Sequence, residues 1–305
     1  MQIGLIIDYK EWFFELAASA GLECFEVYVG RDTPLDVEKL TDDDYKRIAE
    51  DLEKYGLTFA TVLSGVNHLD PNEAERRDNN AYFVKLIKNA RKFGAKIVAT
   101  NIWADPALSP EDNMPRYKEV FSEYARVAEG EGVRIAVENC PHNTQYPITI
   151  GNICYSPAMW DMMFDAVPSK AIGIEYDPSH FIFQMIDYVK AIYDYCDRIY
   201  AVHAKDAEIN RELLNRHGIF GRDTGVKHTK DHWRNGWWRF RMPGMGDVDW
   251  RRVFKALCDV GYDGPVVIEH EDPVFGGDRW GEGVLRGASY LQSLLPHTMK
   301  KKFNN

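Results

Sequence analysis

IAVEN, at residues 135–139, is the first of four similar apolar runs, which continue with IGIEYDPSH at 172–180, IYAVHAKD at 199–206 and PVVIEHED at 265–272. Each run is about strand length, rich in Val, Ile and Ala and apolar at successive positions, which is typical of a strand buried on both faces. Each then reaches an acidic or imidazole side chain: Glu138, Asp177 with His180, His203, and Glu269. We expect these side chains at the carboxyl ends of four buried strands, where they can converge on one point.

Two glutamates, one aspartate and one histidine make an oxygen-rich donor set with one nitrogen. Such a set suits Mn²⁺, Mg²⁺ or Co²⁺, and Zn²⁺ also accepts it. A single carboxylate at a strand end is more often a helix cap or an ion-pair partner, so the prediction depends on the four occurring together. We predict a divalent metal site, with Mn²⁺ as the first choice, whose ligands are Glu138, Asp177, His203 and Glu269.

Strand-like and helix-like patterns alternate along the chain. We predict eight strands, at residues 1–8, 23–29, 57–63, 95–102, 133–138, 171–176, 198–203 and 265–268. The predicted helices are at residues 12–20, 41–55, 78–93, 113–131, 157–167, 187–196, 249–260 and 282–294. This alternation, without a strand-hairpin signal, predicts a (β/α)₈ TIM barrel in a single domain over residues 1–305. A doubly wound open sheet is the alternative, but no GxGxxG follows the first strand.

Composition sets limits on the class of protein. Hydrophobic residues make up 45% of the 305 residues and charged residues 28%, which is ordinary for a soluble globular protein. The net charge of −10 argues against general binding to nucleic acid or to an anionic membrane. The five cysteines lack CxxC spacing, so we expect reduced thiols. Without a basic leader or a long apolar run, we predict no signal peptide, no membrane span and a cytoplasmic protein.

Residues 207–248 separate the seventh predicted strand from the next helix, and an insertion of this length in a compact barrel is usually functional. Between residues 207 and 241 it has eight Lys or Arg against four Asp or Glu, and its tryptophans stand at 233, 237 and 238. Interleaved basic and aromatic residues also occur in nucleic-acid sites, but the acidic chain disfavours that interpretation. We favour a lid over the barrel mouth, with a subunit contact as the alternative.

At the four strand ends the sequence resembles the xylose-isomerase-like TIM-barrel superfamily, which holds tagatose 3-epimerase-type sugar isomerases and epimerases, inosose dehydratases and the endonuclease IV branch. The matching motifs, in chain order, are VEN with Glu138, DPSH with Asp177 and His180, VHAKD with His203, and VIEHED with Glu269. The resemblance extends over essentially the whole chain. Endonuclease IV relatives need several further His ligands, and the upstream candidates here are His68 and His142. DNA repair is therefore disfavoured.

The resemblance implies that the cation leaves positions for two substrate oxygens and that Glu138 and Glu269 lie on opposite faces of a bound sugar. It also implies that His180 hydrogen-bonds the substrate carbonyl or its neighbouring hydroxyl, although the residue also suits a helix cap. A divalent ion acidifies the C–H beside a carbonyl, and a carboxylate held next to it can remove that proton to give an enediolate. We therefore predict a metal-dependent sugar isomerase or epimerase with Glu138, Glu269 and His180 as catalytic residues.

Two other functions stay open. The HAKD, RMPGMGDVDW and IEHEDP segments loosely resemble 3-keto-glycoside lyases and C-glycoside deglycosidase catalytic subunits, which eliminate a substituent with the same kind of site; a sugar dehydratase belongs to the same chemistry. A non-catalytic sugar-binding subunit is the third hypothesis. In each case the ligand is a small sugar or keto-sugar, and we expect a homo-oligomer, with a small partner subunit as a further option.

Other polar and aromatic residues are candidates for the surroundings of the site. We expect Lys205 either to stabilise an enediolate or to pair with Asp206. Trp12, Trp103 and Trp237 are candidates for sugar contacts, and core packing is the alternative for the first two. Asn139 is expected to orient Glu138. The remaining acidic residues near the strand ends are expected to form ion pairs or to support the ligands: Glu175, Glu271 and Asp272.

Overall fold

The computed structural model describes residues 1–141, 151–219 and 236–295 and contains a closed barrel of eight parallel strands beside a two-stranded antiparallel ribbon. In chain order the strands are β1 (Gln2–Ile7), β2 (Cys24–Tyr28), β3 (Thr58–Leu63), β4 (Ile97–Thr100), β5 (Arg134–Glu138), β6 (Ile172–Tyr176), β7 (Ile199–Ala204), β8 (Asp206–Ile209), β9 (Trp238–Arg241) and β10 (Pro265–Ile268). β10 pairs with both β1 and β7 and so closes the barrel. The prediction of a (β/α)₈ barrel is confirmed.

Helices follow the barrel strands and pack around them. They are α1 (Glu11–Ser19), α2 (Asp42–Tyr55), α3 (Glu73–Asn89), α4 (Met114–Glu131), α5 (Pro157–Ala166), α6 (Ser179–Gln184), α7 (Tyr188–Asp194), α8 (Arg211–His217), α9 (Trp250–Asp259) and α10 (Trp280–Leu294). Short 3₁₀ turns stand at Ala90–Phe93, Glu111–Asn113, Pro273–Phe275 and Gly277–Arg279. Helix α3 starts five residues before the predicted position, because Asn72 accepts hydrogen bonds from the N–H groups of Ala74 and Glu75.

The absence of a strand-hairpin signal led us to expect no antiparallel strand pair, and the insertion contains one. β8 and β9 pair antiparallel, with Asp206 opposite Arg241 and Ile209 opposite Trp238. The sequence pattern missed this ribbon because its strands have four residues each and no short turn joins them. Residues 220–235, with the predicted basic and aromatic part around Trp233 and Arg234, lie outside the described residues, as does His142.

Asp206 holds the described part of the insertion to the barrel. Its buried carboxylate accepts hydrogen bonds from the backbone N–H groups of Ala207, Gly244 and Val248 and from the Trp250 indole, at 2.8–3.0 Å. The glycine at 246 belongs to this contact, since a Cβ there would lie 2.3 Å from Asp206 Oδ1. Burial raises the pKa of Asp206 to about 6 in spite of these donors.

The barrel interior contains polar residues where such barrels usually have Val, Ile and Leu. Glu26 on β2, Glu175 on β6 and His203 on β7 are all buried and in mutual contact range. Thr61 on β3, which pairs in register with Glu26, is buried as well. Burying charged groups is unfavourable without compensation, so the cluster of Glu26, Glu175 and His203 indicates a function beyond packing. In the described ranges, no helix is long and apolar enough to cross a membrane.

His68 is a buried structural residue and stands apart from the other imidazoles. Its Nδ1 lies 3.0 Å from the Tyr124 hydroxyl and its Nε2 lies 2.7 Å from Thr100 Oγ1. Burial lowers its pKa from 6.5 to about 3, so the folded protein keeps this ring neutral where the unfolded chain would bind a proton. Its contribution to stability is therefore lost as the pH falls from 6.5 towards 3.

We expect His68→Gln to reduce the acid sensitivity of folding. At pH 4.5, two units below an unfolded pKa of about 6.5, the proton that His68 cannot accept costs about 2–3 kcal/mol of unfolding free energy. The difference in unfolding free energy between pH 7 and pH 4.5, measured by urea titration, should shrink by about that amount in the variant. His217→Gln, on the partly exposed end of α8, serves as the control. Equal pH dependence in both variants would contradict the assignment.

Candidate metal centre

The four side chains that the sequence singles out as ligands meet at the carboxyl end of the barrel. Glu138 is the last residue of β5, Asp177 follows β6, His203 lies in β7 and Glu269 follows β10. One ligand atom from each lies within 4.8 Å of the others. Consecutive positions around a parallel barrel bring strand ends to one rim, which is where active sites of this fold stand.

The contacts within the group are short. His203 Nδ1 lies 3.3 Å from Glu138 Oε1 and 3.1 Å from Glu269 Oε2. His180, on the first turn of α6, directs Nε2 to within 3.2 Å of Glu138 Oε1 and 3.3 Å of Asp177 Oδ2. The DPSH spacing thus places His180 beside the ligands, one helical turn after Asp177, and its contact with a substrate stays a prediction.

Lys205 also reaches the centre of the group. Its Nζ lies 2.6 Å from Glu269 Oε2, 3.2 Å from Asp177 Oδ2 and 3.0 Å from Glu271 Oε2. The expected alternative, an ion pair with Asp206, is wrong: Asp206 accepts its hydrogen bonds from the insertion. Neighbouring residues on an extended chain point to opposite sides, so only one of the two can face the barrel mouth.

The positive groups keep the two glutamates ionised. Burial opposes the charge on Glu269, but the charges of Lys205 and His203 outweigh it and lower the pKa to about 2. For Glu138 burial is likewise outweighed, by hydrogen bonds from His180 and His203 and by the Lys205 charge, and its pKa falls well below the usual value. Both carboxylates are therefore ionised at neutral pH.

A second buried layer lies beneath His203. Its Nε2 is 3.1 Å from Glu26 Oε1 and 3.5 Å from Glu175 Oε1. Burial and then the charge of Glu26 raise the pKa of Glu175 well above its usual value. The pKa of His203 is raised, because the charges of Glu175, Glu26 and Glu269 outweigh the effect of burial. Sequence reasoning missed Glu26, although an acidic residue within the apolar strand CFEVY was a signal for it.

The residues present fit a divalent cation. Asp177 Oδ2 is buried and forms no hydrogen bond with any described residue, although Lys205 and His180 nitrogens lie 3.2 and 3.3 Å away. An unsatisfied carboxylate oxygen facing two further carboxylates is favourable only beside positive charge. Other ligand groups in the described ranges, Glu138–Cys140–His180 and Glu26–Glu175–His203, overlap this one and offer three residues each. The four-residue group offers the most ligands for a divalent cation.

Asparagine side chains fix two of the ligands. Asn101, which sequence reasoning missed, follows β4 and donates from Nδ2 to Glu138 Oε2 at 2.9 Å. The expectation that Asn139 orients Glu138 is wrong, since Asn139 donates to the Asp177 carbonyl and accepts from the Asp177 N–H. The supporting acidic residues behave as expected: Glu271 pairs with Lys205, and Asp272 pairs with Arg241 at 3.0 Å.

Aromatic side chains border the group on one side. The Phe240 ring, carried by β9, lies 5.4 Å from the His180 ring and 4.5 Å from Lys205 Nζ. Phe183 stacks on Trp238 at 4.0 Å, and Trp238 contacts Phe240. The ribbon thus brings an apolar surface to the barrel mouth, beside the two cationic groups.

The three predicted sugar-contacting tryptophans each contact other residues. Trp12 is 49% exposed and touches Trp280, whose ring stacks on His270, the residue after Glu269. Trp103 is half-buried and donates from Nε1 to the Gly65 carbonyl. Trp237 is buried and donates to the Ile219 carbonyl. A sugar contact by these three residues stays a prediction. The neighbouring Trp238 contacts Phe240, whose ring contacts His180.

Curated relatives match most of the chain. The uncharacterized protein YfiH of Bacillus subtilis is 26% identical over 293 residues, which cover 86% of this chain and 88% of that protein. An inosose dehydratase of Clostridium perfringens is 25% identical over 298 residues, which cover 93% of this chain and 90% of the relative.

Solved structures share the fold at lower identity. A D-psicose 3-epimerase of Clostridium cellulolyticum has a TM-score of 0.71 at 18% identity and covers 97% of this chain and 99% of its own. The 3-keto-D-glucoside 4-epimerase YcjR of E. coli has a TM-score of 0.69 at 16% identity, with coverages of 96% and 99%. The IolI protein, solved with a zinc atom, has a TM-score of 0.70 at 17% identity, with 96% of each chain covered.

A family model described as xylose isomerase-like TIM barrel matches residues 14–294. This range includes every barrel strand after β1, and it includes all four predicted ligands. The closed parallel barrel agrees with that match. This chain belongs to the xylose isomerase-like TIM barrel family.

Proposed function

We propose that this protein is a divalent-metal-dependent sugar isomerase or epimerase that removes a proton from the carbon beside a substrate carbonyl. The observation that carries the proposal is the convergence of Glu138, Asp177, His203 and Glu269, whose ligand atoms lie within 4.8 Å of one another at the barrel mouth. These four residues would hold the cation. When bound, a divalent cation polarises the carbonyl as a Lewis acid and so acidifies the adjacent C–H.

The two glutamates have the roles of proton acceptor and donor. Glu269, with 19% of its side chain exposed, is open to the barrel mouth, whereas Glu138 is held from behind by Asn101 and faces His180. One carboxylate can remove the proton from one face of the substrate, and the other, after taking a proton from solvent water, can deliver it to the opposite face, which inverts the carbon. Return of the proton at the neighbouring carbon converts a ketose into an aldose.

Positive and apolar groups complete the substrate site. Lys205 and His180 are placed to stabilise the negative charge that develops on a carbonyl or hydroxyl oxygen during proton removal. Phe240 lies against both groups and excludes water from one side. The insertion that carries Phe240, at residues 207–248, is proposed as the lid of the site. A small sugar or keto-sugar is the substrate class that this arrangement favours.

A dehydratase is the second candidate, since the inosose dehydratase of Clostridium perfringens matches 93% of this chain. The same proton abstraction followed by loss of a β-substituent gives elimination, as it would for a 3-keto-glycoside lyase. One experiment separates these reactions. The protein is stripped with chelator, reloaded with Mn²⁺ and incubated in D₂O with ketoses, inososes and 3-keto-glycosides. Deuterium uptake into a substrate whose mass is otherwise unchanged supports isomerisation or epimerisation. Release of water or an aglycone supports the second candidate.

The same experiment has two outcomes that would contradict both the isomerase and the dehydratase. If the stripped protein takes up no Mn²⁺, Mg²⁺, Co²⁺ or Zn²⁺, the proposal fails. If the metal binds and a sugar binds but no deuterium enters any substrate, a non-catalytic sugar-binding role replaces it. The panel includes both phosphorylated and unphosphorylated sugars, because Lys205 and His180 would accept either.

Lys205→Gln is expected to change metal affinity and turnover in opposite directions. The ammonium lies 2.6 Å from Glu269, so removing its charge relieves repulsion of a divalent cation and should tighten Mn²⁺ binding about tenfold. Deuterium incorporation should fall about 100-fold, because the developing negative charge loses its partner. Calorimetric Mn²⁺ titration and isotope uptake measure the two effects. The exposed Lys255→Gln is the control, and weaker metal binding in Lys205→Gln would contradict the prediction.

A further inference from the structure

We infer that Glu26 is a positioning residue that fixes the ring of His203, so that Nδ1 is presented to the cation and Nε2 keeps its proton. This inference rests on the metal site of the proposed function. Nothing in the strand-end pattern points to Glu26, which lies in the middle of β2, three strands around the barrel from the His203 strand β7.

The contact geometry separates the two ring nitrogens. His203 Nε2 lies 3.1 Å from Glu26 Oε1, beneath the ligand group, whereas Nδ1 faces Glu138 at 3.3 Å and Glu269 at 3.1 Å. A carboxylate only accepts hydrogen bonds, so the hydrogen of this contact stays on Nε2. With Nε2 bearing the hydrogen, Nδ1 is the nitrogen whose lone pair can bind a metal ion.

The surroundings make this orientation rigid. Both Glu26 and His203 are buried, at 0% and 2% exposure, and Glu175 also lies 3.5 Å from Nε2. A ring flip would put carbon atoms where Nδ1 and Nε2 now stand, and would so take the lone pair away from the upper carboxylates and the N–H away from Glu26. Metal-bound histidines commonly donate their second N–H to a carboxylate, and loss of that partner typically weakens metal affinity about 10–100-fold.

A merely structural role is the alternative, and it predicts a different result. A buried carboxylate without a partner destabilises a barrel interior, and apolar side chains usually fill this position. If Glu26 only packed the barrel, replacing it would change the unfolding free energy and leave the cation affinity and the His203 ring unchanged. The measurements must therefore follow the metal and the imidazole separately from activity.

The test uses the full chain with Glu26→Gln and Glu26→Leu. Calorimetric titration of the chelator-treated protein with Mn²⁺ measures affinity, and ¹⁵N-imidazole NMR of the metal-free and Zn²⁺-loaded forms follows the His203 Nε2–H proton. We expect Glu26→Leu to bind Mn²⁺ about 10–100-fold more weakly and to lose the slowly exchanging Nε2–H signal. Glu26→Gln, whose amide oxygen can still accept the hydrogen bond, should recover part of both. Thr61→Val, in register with Glu26 on β3, is the control with wild-type affinity.

Two results overturn the inference: wild-type Mn²⁺ affinity in Glu26→Leu, or a wild-type His203 whose hydrogen is absent from Nε2. Thermal melting followed by circular dichroism shows whether each variant is folded. If Glu26→Leu is misfolded, the Mn²⁺ affinity and the Nε2–H signal of Glu26→Gln test the inference. If the wild-type protein binds no divalent cation, the proposed function fails by itself. The Nε2–H signal of the metal-free wild type and of Glu26→Gln still tests whether Glu26 holds the ring.

Discussion

Glu269→Gln should lower deuterium incorporation into the substrate by about 10²–10⁴-fold, the usual contribution of a positioned general base. The amide keeps the size of the side chain but cannot accept the proton at neutral pH. Glu269 contacts both His203 Nδ1 and Lys205 Nζ, at 3.1 and 2.6 Å, so the substitution also removes one anionic oxygen from the ligand group. We expect a fall in the rate constant together with a moderate loss of Mn²⁺ affinity.

Glu138→Gln should lower the rate of epimer formation by a similar factor. Its effect on deuterium exchange should differ from that of Glu269→Gln, because each glutamate is proposed to serve one face of the sugar. The Glu138→Gln variant keeps Glu269 as the proton acceptor, so it should still exchange the substrate proton in D₂O, while epimer formation stops. Single-turnover measurements at saturating Mn²⁺ separate this result from simple loss of metal.

Glu271→Gln is the matched control for both variants. Glu271 contacts Lys205 at 3.0 Å and its side chain is 47% exposed, but it does not belong to the four-ligand group. Its replacement should change the rate of deuterium incorporation less than tenfold, as for a partly exposed ion pair of about 1 kcal/mol. Full activity of Glu269→Gln with bound metal would show that the proton acceptor is another residue.

Asp206→Ala should be the most destabilising single substitution among the residues discussed, with a loss of about 3–4 kcal/mol of unfolding free energy. The substitution leaves the Gly244, Val248 and Trp250 N–H groups without their acceptor inside a buried region. A buried donor without a partner costs about 1–3 kcal/mol, and water entering the cavity restores part of the loss.

Urea unfolding of Asp206→Ala measures that loss directly, and the exposed Asp263→Ala is its control. The variant should also lose activity, because the ribbon that carries Phe240 begins at Asp206. Asp206→Asn is a milder test, since the amide can accept from some of the donors and brings two hydrogens of its own. A loss below about 1 kcal/mol in Asp206→Ala would show that the insertion is held by other contacts.

The barrel and the four ligands were open to prediction because they depend on local pattern and on one rule of topology. Buried parallel strands have continuous apolar runs, and the residue that ends each run must stand on the same rim of the barrel. Glu138, Asp177, His203 and Glu269 follow from those two facts and from chain order. The position of His180 one helical turn after Asp177 follows in the same way.

Contacts between distant parts of the chain could not be predicted. Glu26 lies 177 residues before His203, and Asn101 lies 37 residues before Glu138, so no local spacing links either pair. The choice between Lys205 and Asp206 for the barrel mouth was open for a different reason. Adjacent residues on an extended segment differ only in which side they face, and the side is set by packing of the insertion against the barrel.

The sequence by itself therefore determined the fold, the rim at which the chemistry stands and the types of side chain gathered there, because periodic burial and strand order are local properties. Only the tertiary structure decided which groups hold those side chains in place: Glu26 beneath His203, Asn101 behind Glu138, Lys205 among the carboxylates and Phe240 beside His180. The physical reason is that closing the barrel and folding back the insertion join residues whose separation along the chain carries no periodic signal.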